Sequence, residues 1–230
     1  MSLTRFNTTT NKNYSVMHSK KKIFRKTNNG LIDLLKGADT HSYSNDYGKF
    51  YEYYLSDEVE DPSDYADWFQ EIRSTRSSDA IKIHINSPGG NLFTTIQFLQ
   101  CLAETEAHII ASVEGACMSA ATLIFLAADE FQIAPHSMFM FHNYSGASFG
   151  KGGEMYDNVV HERKWSEKLL TDMYSDFLTK GEIESLLNNK DIWMDSDEVI
   201  TRLKKRDAIF KKRAIASAKK KGSQPVDNEE

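Results

Sequence analysis

The chain has 230 residues and a mass of 26.2 kDa, which suits a single domain, because one hydrophobic core can serve up to about 250 residues. Its net charge of -5 and pI near 5.8 argue against a dedicated nucleic-acid-binding protein, which normally carries a basic excess. The 40% hydrophobic and 27% charged residues are ordinary for a globular protein and identify no chemistry.

Cysteine content and apolar runs bear on location. Cys101 and Cys117 both lie in apolar stretches, so we expect two core thiols in a reducing compartment rather than a disulfide framework. No stretch approaches the ~20 apolar residues that cross a bilayer, and the N-terminus lacks an apolar signal core. We therefore expect a cytoplasmic protein or one carried inside a particle. No His and Cys residues have ordinary zinc spacing, so no metal is expected.

The two ends of the chain differ in amino-acid composition from its middle. Residues 1–47 are rich in Asn, Lys, Ser and Thr, which fits a flexible arm, a hairpin on a neighbouring subunit or a removable pro-segment. Residues 48–210 form the predicted domain. Residues 211–230 are a charged tail.

The first predicted elements of the domain are an aromatic strand and a helix. The strand covers 50–55, and Asp61 followed by Pro62 is typical of a helix start. A helix over 62–73 follows, with apolar residues spaced by three and four on one face: Tyr65, Trp68, Phe69 and Ile72.

Strands and helices then alternate. The predicted strands lie at 81–85, 107–113, 131–133 and 138–141, with helices at 92–102 and 119–128 and a strand break at Gly115. This order favours an α/β fold with a mostly parallel sheet and right-handed crossovers. A longer helix near 154–178 has one apolar and one strongly charged face, so we expect it to project and contact another subunit.

The first candidate for chemistry is a serine at a strand-to-helix turn. Ser119 follows Gly115 and opens an apolar helix, so the N–H of Ala120 is an unpaired first-turn donor. The Gly89–Gly90 turn ends an earlier strand, at the sheet edge where α/β proteins bind ligands. It could supply a second donor, although such a pair taken alone is more often a simple turn.

The segments 85–90 (Ile-Asn-Ser-Pro-Gly-Gly) and 115–119 (Gly-Ala-Cys-Met-Ser) resemble the Clp protease proteolytic subunit family, and the similarity runs from about Tyr53 to Asp207. The resemblance implies a ClpP/crotonase-like fold of repeated strand-turn-helix units with a mostly parallel sheet and a projecting long helix. It makes Ser119 the nucleophile and places Gly90 and Ala120 as the oxyanion-hole donors.

The same resemblance assigns the other catalytic residues. His142 ends a short apolar strand after a Pro-x-Ser element and takes the place of the general base. Asp191, which precedes an aromatic residue, takes the place of the acid that orients it. Competing residues are better explained by positions in a turn, in strands, on the long helix or at a helix cap: His84, His108, His136, His161, Asp195 and Asp197.

The implied function is that of a serine endopeptidase that cleaves unfolded polypeptides in an ATP-dependent Clp-type protease. The resemblance implies a stacked-ring homo-oligomer fed by an AAA+ unfoldase, with substrate contacts at Gly89, Asn91, Ser145 and Gly146. The chain has no Gly-x-x-x-x-Gly-Lys-Ser/Thr motif, so we expect ATP to be used by the partner and no cofactor to be bound. Nucleic-acid and membrane partners are not expected.

Three alternatives stay open. A crotonase-like acyl-thioester enzyme would have the same fold but no triad. A viral capsid-maturation protease would have the same peptidase chemistry. A silent assembly subunit would have no catalytic activity. The sequence departs from the family at Cys117-Met118, which replaces two small residues, in a shorter run to His142, and in its tail.

Overall fold

The computed structural model describes residues 15–18 and 48–221, so most of the predicted N-terminal arm and the end of the tail lie outside the described residues. The strands are β1 (Ser15–His18), β2 (Phe50–Leu55), β3 (Ala80–Ser87), β4 (His108–Met118), β5 (Glu130–Ile133), β6 (Met138–Phe141) and β7 (Ile192–Asp195). The helices are α1 (Ala66–Ser74), α2 (Leu92–Glu104), α3 (Ala120–Leu126), α4 (Gly152–Tyr174), α5 (Lys180–Leu187) and α6 (Ser196–Lys221).

The strands form one mostly parallel sheet, which confirms the predicted α/β architecture. The order β1-β5-β4-β3-β2 is parallel from β5 to β2, and β1 joins β5 antiparallel. β6 pairs parallel with β4, and β7 pairs antiparallel with β6. The sheet therefore has an extension, β6 and β7, attached to the far end of β4.

β4 changes partners along its length. Its first part pairs with β5 up to Val113, and its last three residues, from Ala116 to Met118, pair with β6. The register against β3 also shifts there, from Ile85 opposite Val113 to Ser87 opposite Cys117. β4 thus uses two more residues than β3 over this step. Such a bulge bends a strand and lets it leave one partner for another.

Gly115 lies in this bulge, and the prediction that it ends the strand is wrong. A Cβ at Gly115 would lie 2.5 Å from Asn86 Oδ1, so any larger residue would displace the Asn86 side chain. The same Asn86 oxygen accepts a hydrogen bond of 2.9 Å from the N–H of Ala116. Because the side chain of Asn86 replaces the lost ladder bond, β4 continues to Met118.

The helices enclose the core of the sheet. The predicted helix at 62–73 begins as a 3₁₀ turn at Pro62–Tyr65 and continues as α1. Its aromatic face packs edge-on against Phe98 of α2. Every residue of α3 is buried, so α3 is the central helix of the domain.

α4 ends at Tyr174, earlier than the predicted end at 178. The N–H groups of Phe177 and Leu178 both donate to the carbonyl of Tyr174, which closes the helix. The turn buries both apolar side chains and delivers Thr179 to the capping box that starts α5. The buried residues of α4 all lie in its last nine positions: Ser166, Leu170 and Tyr174. Its N-terminal half therefore projects from the domain.

α6 has 26 residues and runs through the predicted boundary at 210. It is joined to α5 by Arg202, whose Nη1 and Nη2 donate to the two carboxylate oxygens of Glu182 at 2.9 and 2.6 Å. This bidentate bond is the main cause that lowers the pKa of Glu182 to about 2. Within residues 15–18 and 48–221, no helix is long and apolar enough to span a membrane.

The Glu182–Arg202 pair predicts a pH-dependent stability. Glu182→Gln keeps the capping acceptor but removes the charge, and should lower the free energy of unfolding by about 2 kcal/mol at neutral pH. Because the folded-state pKa is depressed, the difference from wild type should be full above pH 4.5 and should close as the pH falls toward about 2. Urea unfolding across this pH range measures it.

The matched control is Glu167→Gln, which removes a more exposed helix-surface pair with Arg163. That change should lower the free energy of unfolding by less than about 0.5 kcal/mol. Equal losses in the two variants would contradict a special role for the pair between α5 and α6.

Candidate active site

Ser119 lies where β4 gives way to α3, in a backbone conformation that few side chains adopt. Its φ is 51° and its ψ is -127°. Such a conformation costs about 1–3 kcal/mol and persists only where neighbouring contacts impose it. The N–H of Ser119 donates to the carbonyl of Met140 on β6 at 2.8 Å. The strained turn thus presents the hydroxyl at the end of the sheet.

His142 is the partner of this hydroxyl. Because β4 and β6 run parallel with Met118 opposite Met140, the chain leaves both strands at the same edge. Ser119 Oγ and His142 Nε2 are 2.5 Å apart, and both residues are half-buried. A serine hydroxyl in contact with an imidazole nitrogen has a base in place to accept its proton.

The other nucleophile near this turn is Cys117, and the structure argues against it. Its side chain is fully buried, and burial raises the pKa of the thiol well above its usual range. A thiol acts as a nucleophile only as its thiolate. Ser119 is therefore the available nucleophile at this strand end.

Two competing histidines form contacts elsewhere. His84 lies between Glu114, at 2.5 Å from its Nδ1, and Glu52, at 3.2 Å from its Nε2. His108 contacts Glu130 at 3.4 Å. Both lie on the sheet away from Ser119, which leaves His142 as the histidine that contacts it.

The Gly89–Gly90 turn packs directly against the serine. Gly89 has φ of 99°, and a Cβ there would lie 2.5 Å from Ser119 Cβ and 2.9 Å from the nitrogen of Ala120. No side chain can replace glycine at such a contact. The close approach brings the backbone that follows β3 alongside the nucleophile.

Val59 sets the direction of the Gly90 peptide. The N–H of Val59 donates to the Gly89 carbonyl at 2.6 Å, and the N–H of Asn91 donates to the Val59 carbonyl at 2.7 Å. In this parallel bridge the N–H of Gly90 points away from Val59, and no acceptor in the described part of the chain pairs with it. Ala120 begins α3, so its N–H has no intrahelical acceptor either. Two free donors thus belong to the turns that meet at Ser119.

Asp191 lies one register step beyond the paired strands. β6 and β7 pair Met140 with Trp193 and Phe141 with Ile192, so the continued register sets His142 opposite Asp191. Directly opposite Cβ atoms on antiparallel strands are about 4.5–5.5 Å apart. Within the described residues, however, no hydrogen bond joins the exposed Asp191 carboxylate to the imidazole. The backbone places the pair together, and the side chains do not meet.

Hydrogen bonds from the Asn143 side chain link these two strand ends. The side-chain amide of Asn143 donates to Asn189 Oδ1 at 3.0 Å and to the carbonyl of Leu187 at 3.3 Å. Asn189 has φ of 62°, a left-handed conformation that asparagine tolerates. These hydrogen bonds lie next to His142 and Asp191 and limit how far the two residues can separate.

The competing aspartates, Asp195 and Asp197, lie at the start of α6. Asp195 lies opposite Met138 at the far end of β7, and its Oδ1 accepts a hydrogen bond of 2.9 Å from the N–H of Glu198. Asp197 lies in the first turn of α6. Both therefore stabilise the start of α6, as expected for helix-capping acids.

The residues expected to contact substrate fall into two groups. Gly89 lies against Ser119, and Asn91 caps α2 by accepting hydrogen bonds from the N–H groups of Phe93 and Thr94. Ser145 and Gly146 are exposed in the loop after His142, which has no regular secondary structure. This loop lines a cleft of about 540 Å³ together with α4 and the end of α5.

Sequence patterns missed three residues that support the site: Val59, Thr122 and Tyr174. Val59 precedes the first helix and carries no motif. Thr122 and Tyr174 share a buried hydrogen bond of 2.7 Å beneath Ser119. The signal for Thr122 was its position as the one polar residue of the α3 sequence Ala-Ala-Thr-Leu-Ile-Phe-Leu.

Comparison with known proteins agrees with this geometry. A sequence model of the family described as Clp protease matches residues 55–202, more than half of the 230-residue chain. The chain is also 27% identical over 131 residues to ATP-dependent Clp protease proteolytic subunit 1 of Salinibacter ruber. That alignment covers 55% of this chain and 55% of the relative, so the chain spans about half the length of the curated relative it matches.

The family match includes Ser119, His142 and Asp191, and it confirms the resemblance and the fold that the two glycine-containing motifs indicated. The chain belongs to the Clp protease family.

Proposed function

We propose that the protein is a serine endopeptidase in which Ser119 is the nucleophile and His142 the general base. The observation that carries this proposal is the 2.5 Å contact between Ser119 Oγ and His142 Nε2 at a strained strand-to-helix turn. Strained backbone conformations persist only where surrounding contacts impose them, and they cluster at active sites.

The reaction follows from this geometry. His142 Nε2 takes the hydroxyl proton as Ser119 Oγ attacks the substrate carbonyl, and the negative charge develops on the carbonyl oxygen. The N–H groups of Gly90 and Ala120 stabilise that oxyanion. His142 then donates the proton to the leaving amine, and a water molecule, activated by the same imidazole, hydrolyses the acyl-enzyme.

Asp191 completes the triad in this proposal. Its carboxylate accepts the Nδ1 proton of His142, which fixes the imidazole tautomer and stabilises the imidazolium without itself taking the proton. The position opposite His142 in the continued β6–β7 register supports this role. The hydrogen bond forms in the competent state of the enzyme.

The substrate is an extended polypeptide that lies along the loop of Ser145 and Gly146. This loop is exposed and lines the cleft that begins at Asn143, the residue after His142, and its backbone forms no regular secondary structure that would keep it from pairing with a strand. Gly89 contributes a side-chain-free surface next to the nucleophile.

The proposed setting is the proteolytic component of an ATP-dependent Clp-type protease. The name of the Salinibacter ruber relative supports this setting. Self-association is supported by the projecting half of α4 and the loop before it, which expose large apolar side chains: Phe149, Tyr156 and Val159. In this proposal the chains form stacked rings in the cytoplasm, and an AAA+ unfoldase supplies unfolded substrate and uses the ATP.

Active-site labelling tests the chemistry. A fluorophosphonate should label the wild-type protein at Ser119, and Ser119→Ala should abolish labelling and reduce kcat for an unstructured peptide by at least about 10³-fold. His142→Asn should also abolish labelling, because the hydroxyl loses its base. Peptide mapping of the labelled protein by mass spectrometry identifies the modified residue.

His136→Asn is the matched control. This histidine is exposed in the turn before β6 and has φ of 67°, which asparagine tolerates. The variant should label at the wild-type rate. Labelling of a residue other than Ser119, or unchanged labelling of His142→Asn, would refute the proposal.

A second test separates the aspartates. Asp191→Asn should lower kcat by on the order of 10²–10⁴-fold, because the amide favours the wrong imidazole tautomer. Asp195→Asn should leave kcat near the wild-type value, since asparagine caps helices as well as aspartate does. Steady-state kinetics on both variants measures the difference. Equal effects of the two changes would remove Asp191 from the triad.

A further inference from the structure

Two buried hydroxyl groups lie directly behind the nucleophile. Thr122 on α3 is 0% exposed, and Tyr174 at the end of α4 is 1% exposed. Thr122 Oγ1 donates to the carbonyl of Ser119 at 2.6 Å and lies 2.7 Å from the hydroxyl of Tyr174. The three residues form a short hydrogen-bonded chain that no sequence motif indicated.

The direction of the protons in this chain is settled. Thr122 has one hydroxyl proton and gives it to the Ser119 carbonyl, so the Tyr174 hydroxyl must donate to Thr122 Oγ1. Burial raises the pKa of Tyr174 well above its usual range, and the phenol therefore keeps its proton. Consecutive bonds of this kind polarise and strengthen one another.

The carbonyl at the end of this chain belongs to the peptide unit that carries the Ala120 N–H. A trans peptide is planar, and its N–H and C=O point in opposite directions. Anchoring the Ser119 carbonyl therefore fixes the direction of the Ala120 N–H. Three hydrogen bonds hold the strained Ser119 backbone: one from the Ser119 N–H to Met140 at 2.8 Å, and two to its carbonyl, from the Thr122 N–H at 3.0 Å and hydroxyl at 2.6 Å.

We propose that Thr122 and Tyr174 are positioning residues that hold the Ser119–Ala120 peptide in the orientation in which the Ala120 N–H faces the oxyanion. This inference rests on the proposed peptidase function. Tyr174 lies in the last turn of α4, and its ring also packs edge-on against Phe141, which precedes His142. One side chain of α4 thus supports both the nucleophile turn and the strand that carries the base.

The test removes each hydroxyl group and keeps the shape of the rest of the side chain. Thr122→Val and Tyr174→Phe should each lower kcat by about 10-fold, less than the 10²–10³-fold typical of losing an oxyanion donor outright, because the peptide is misaligned rather than removed. KM should stay within about twofold, since ground-state binding is untouched. Thr122→Ser keeps the hydroxyl and should restore most of kcat.

Two variants with matched chemistry serve as controls. Thr75 donates to the carbonyl three residues earlier at 2.6 Å and contacts a second hydroxyl at 2.6 Å, as Thr122 does, but at the end of α1. Tyr53 is a buried tyrosine whose hydroxyl bonds Glu71 at 2.7 Å. Thr75 is half-buried, so Thr75→Val reproduces the loss of a hydroxyl with the same two contacts, and Tyr53→Phe reproduces the loss of a buried phenol; neither change should alter kcat.

All rates are expressed per active site, from titration with a fluorophosphonate, so that partial unfolding does not count as lost catalysis. If wild-type protein neither labels nor cleaves peptide, the proposed function itself fails. If wild-type protein is active and Thr122→Val has the same kcat per site as Thr75→Val, the positioning role is wrong and the proposed function stands. The same conclusion follows if Thr122→Ser does not recover activity.

Discussion

The positive-φ backbone of Ser119 is the constraint on which the candidate site depends. At the bulge at Gly115, where the Asn86 side chain accepts from the N–H of Ala116, β4 leaves β5 and pairs with β6. The strain at the turn is opposed by hydrogen bonds on both sides of Ser119: its N–H donates to the Met140 carbonyl, and its carbonyl accepts from Thr122. The unfavourable backbone conformation of Ser119 is thus stabilised by contacts with two separate elements, β6 and α3, so the position of the hydroxyl depends on both.

The sheet extension also explains how distant parts of the sequence meet. β4, β6 and β7 are adjacent strands, and their ends carry Ser119, His142 and Asp191 in successive positions. The Gly89–Gly90 turn reaches the same edge because β3 runs parallel to β4. Polar groups with separate origins in the chain therefore converge at one strand edge, where α/β proteins place their ligands.

Local patterns predicted much of this arrangement, and the misses have physical causes. Helix and strand periodicity located α2, β3, β5 and β6 within about two residues. Gly115 was misread because a glycine that ends a strand and one that accommodates a bulge look alike in sequence. The roles of Val59 and Tyr174 could not be predicted, and Thr122 was marked only as the one polar residue of α3, because these roles arise from contacts between residues up to 52 positions apart. The register of β7 separates Asp191 from Asp195, which spacing alone left open.

In the proposed mechanism, Ser119 attacks a carbonyl whose oxygen is held by two backbone N–H groups. The most direct measurement is a crystal structure of the protein after reaction with a fluorophosphonate. We expect phosphorus bonded to Ser119 Oγ, with one phosphonyl oxygen about 2.7–3.1 Å from the nitrogens of both Gly90 and Ala120. An adduct on another residue, or a phosphonyl oxygen turned to solvent without contact to either nitrogen, would contradict this mechanism.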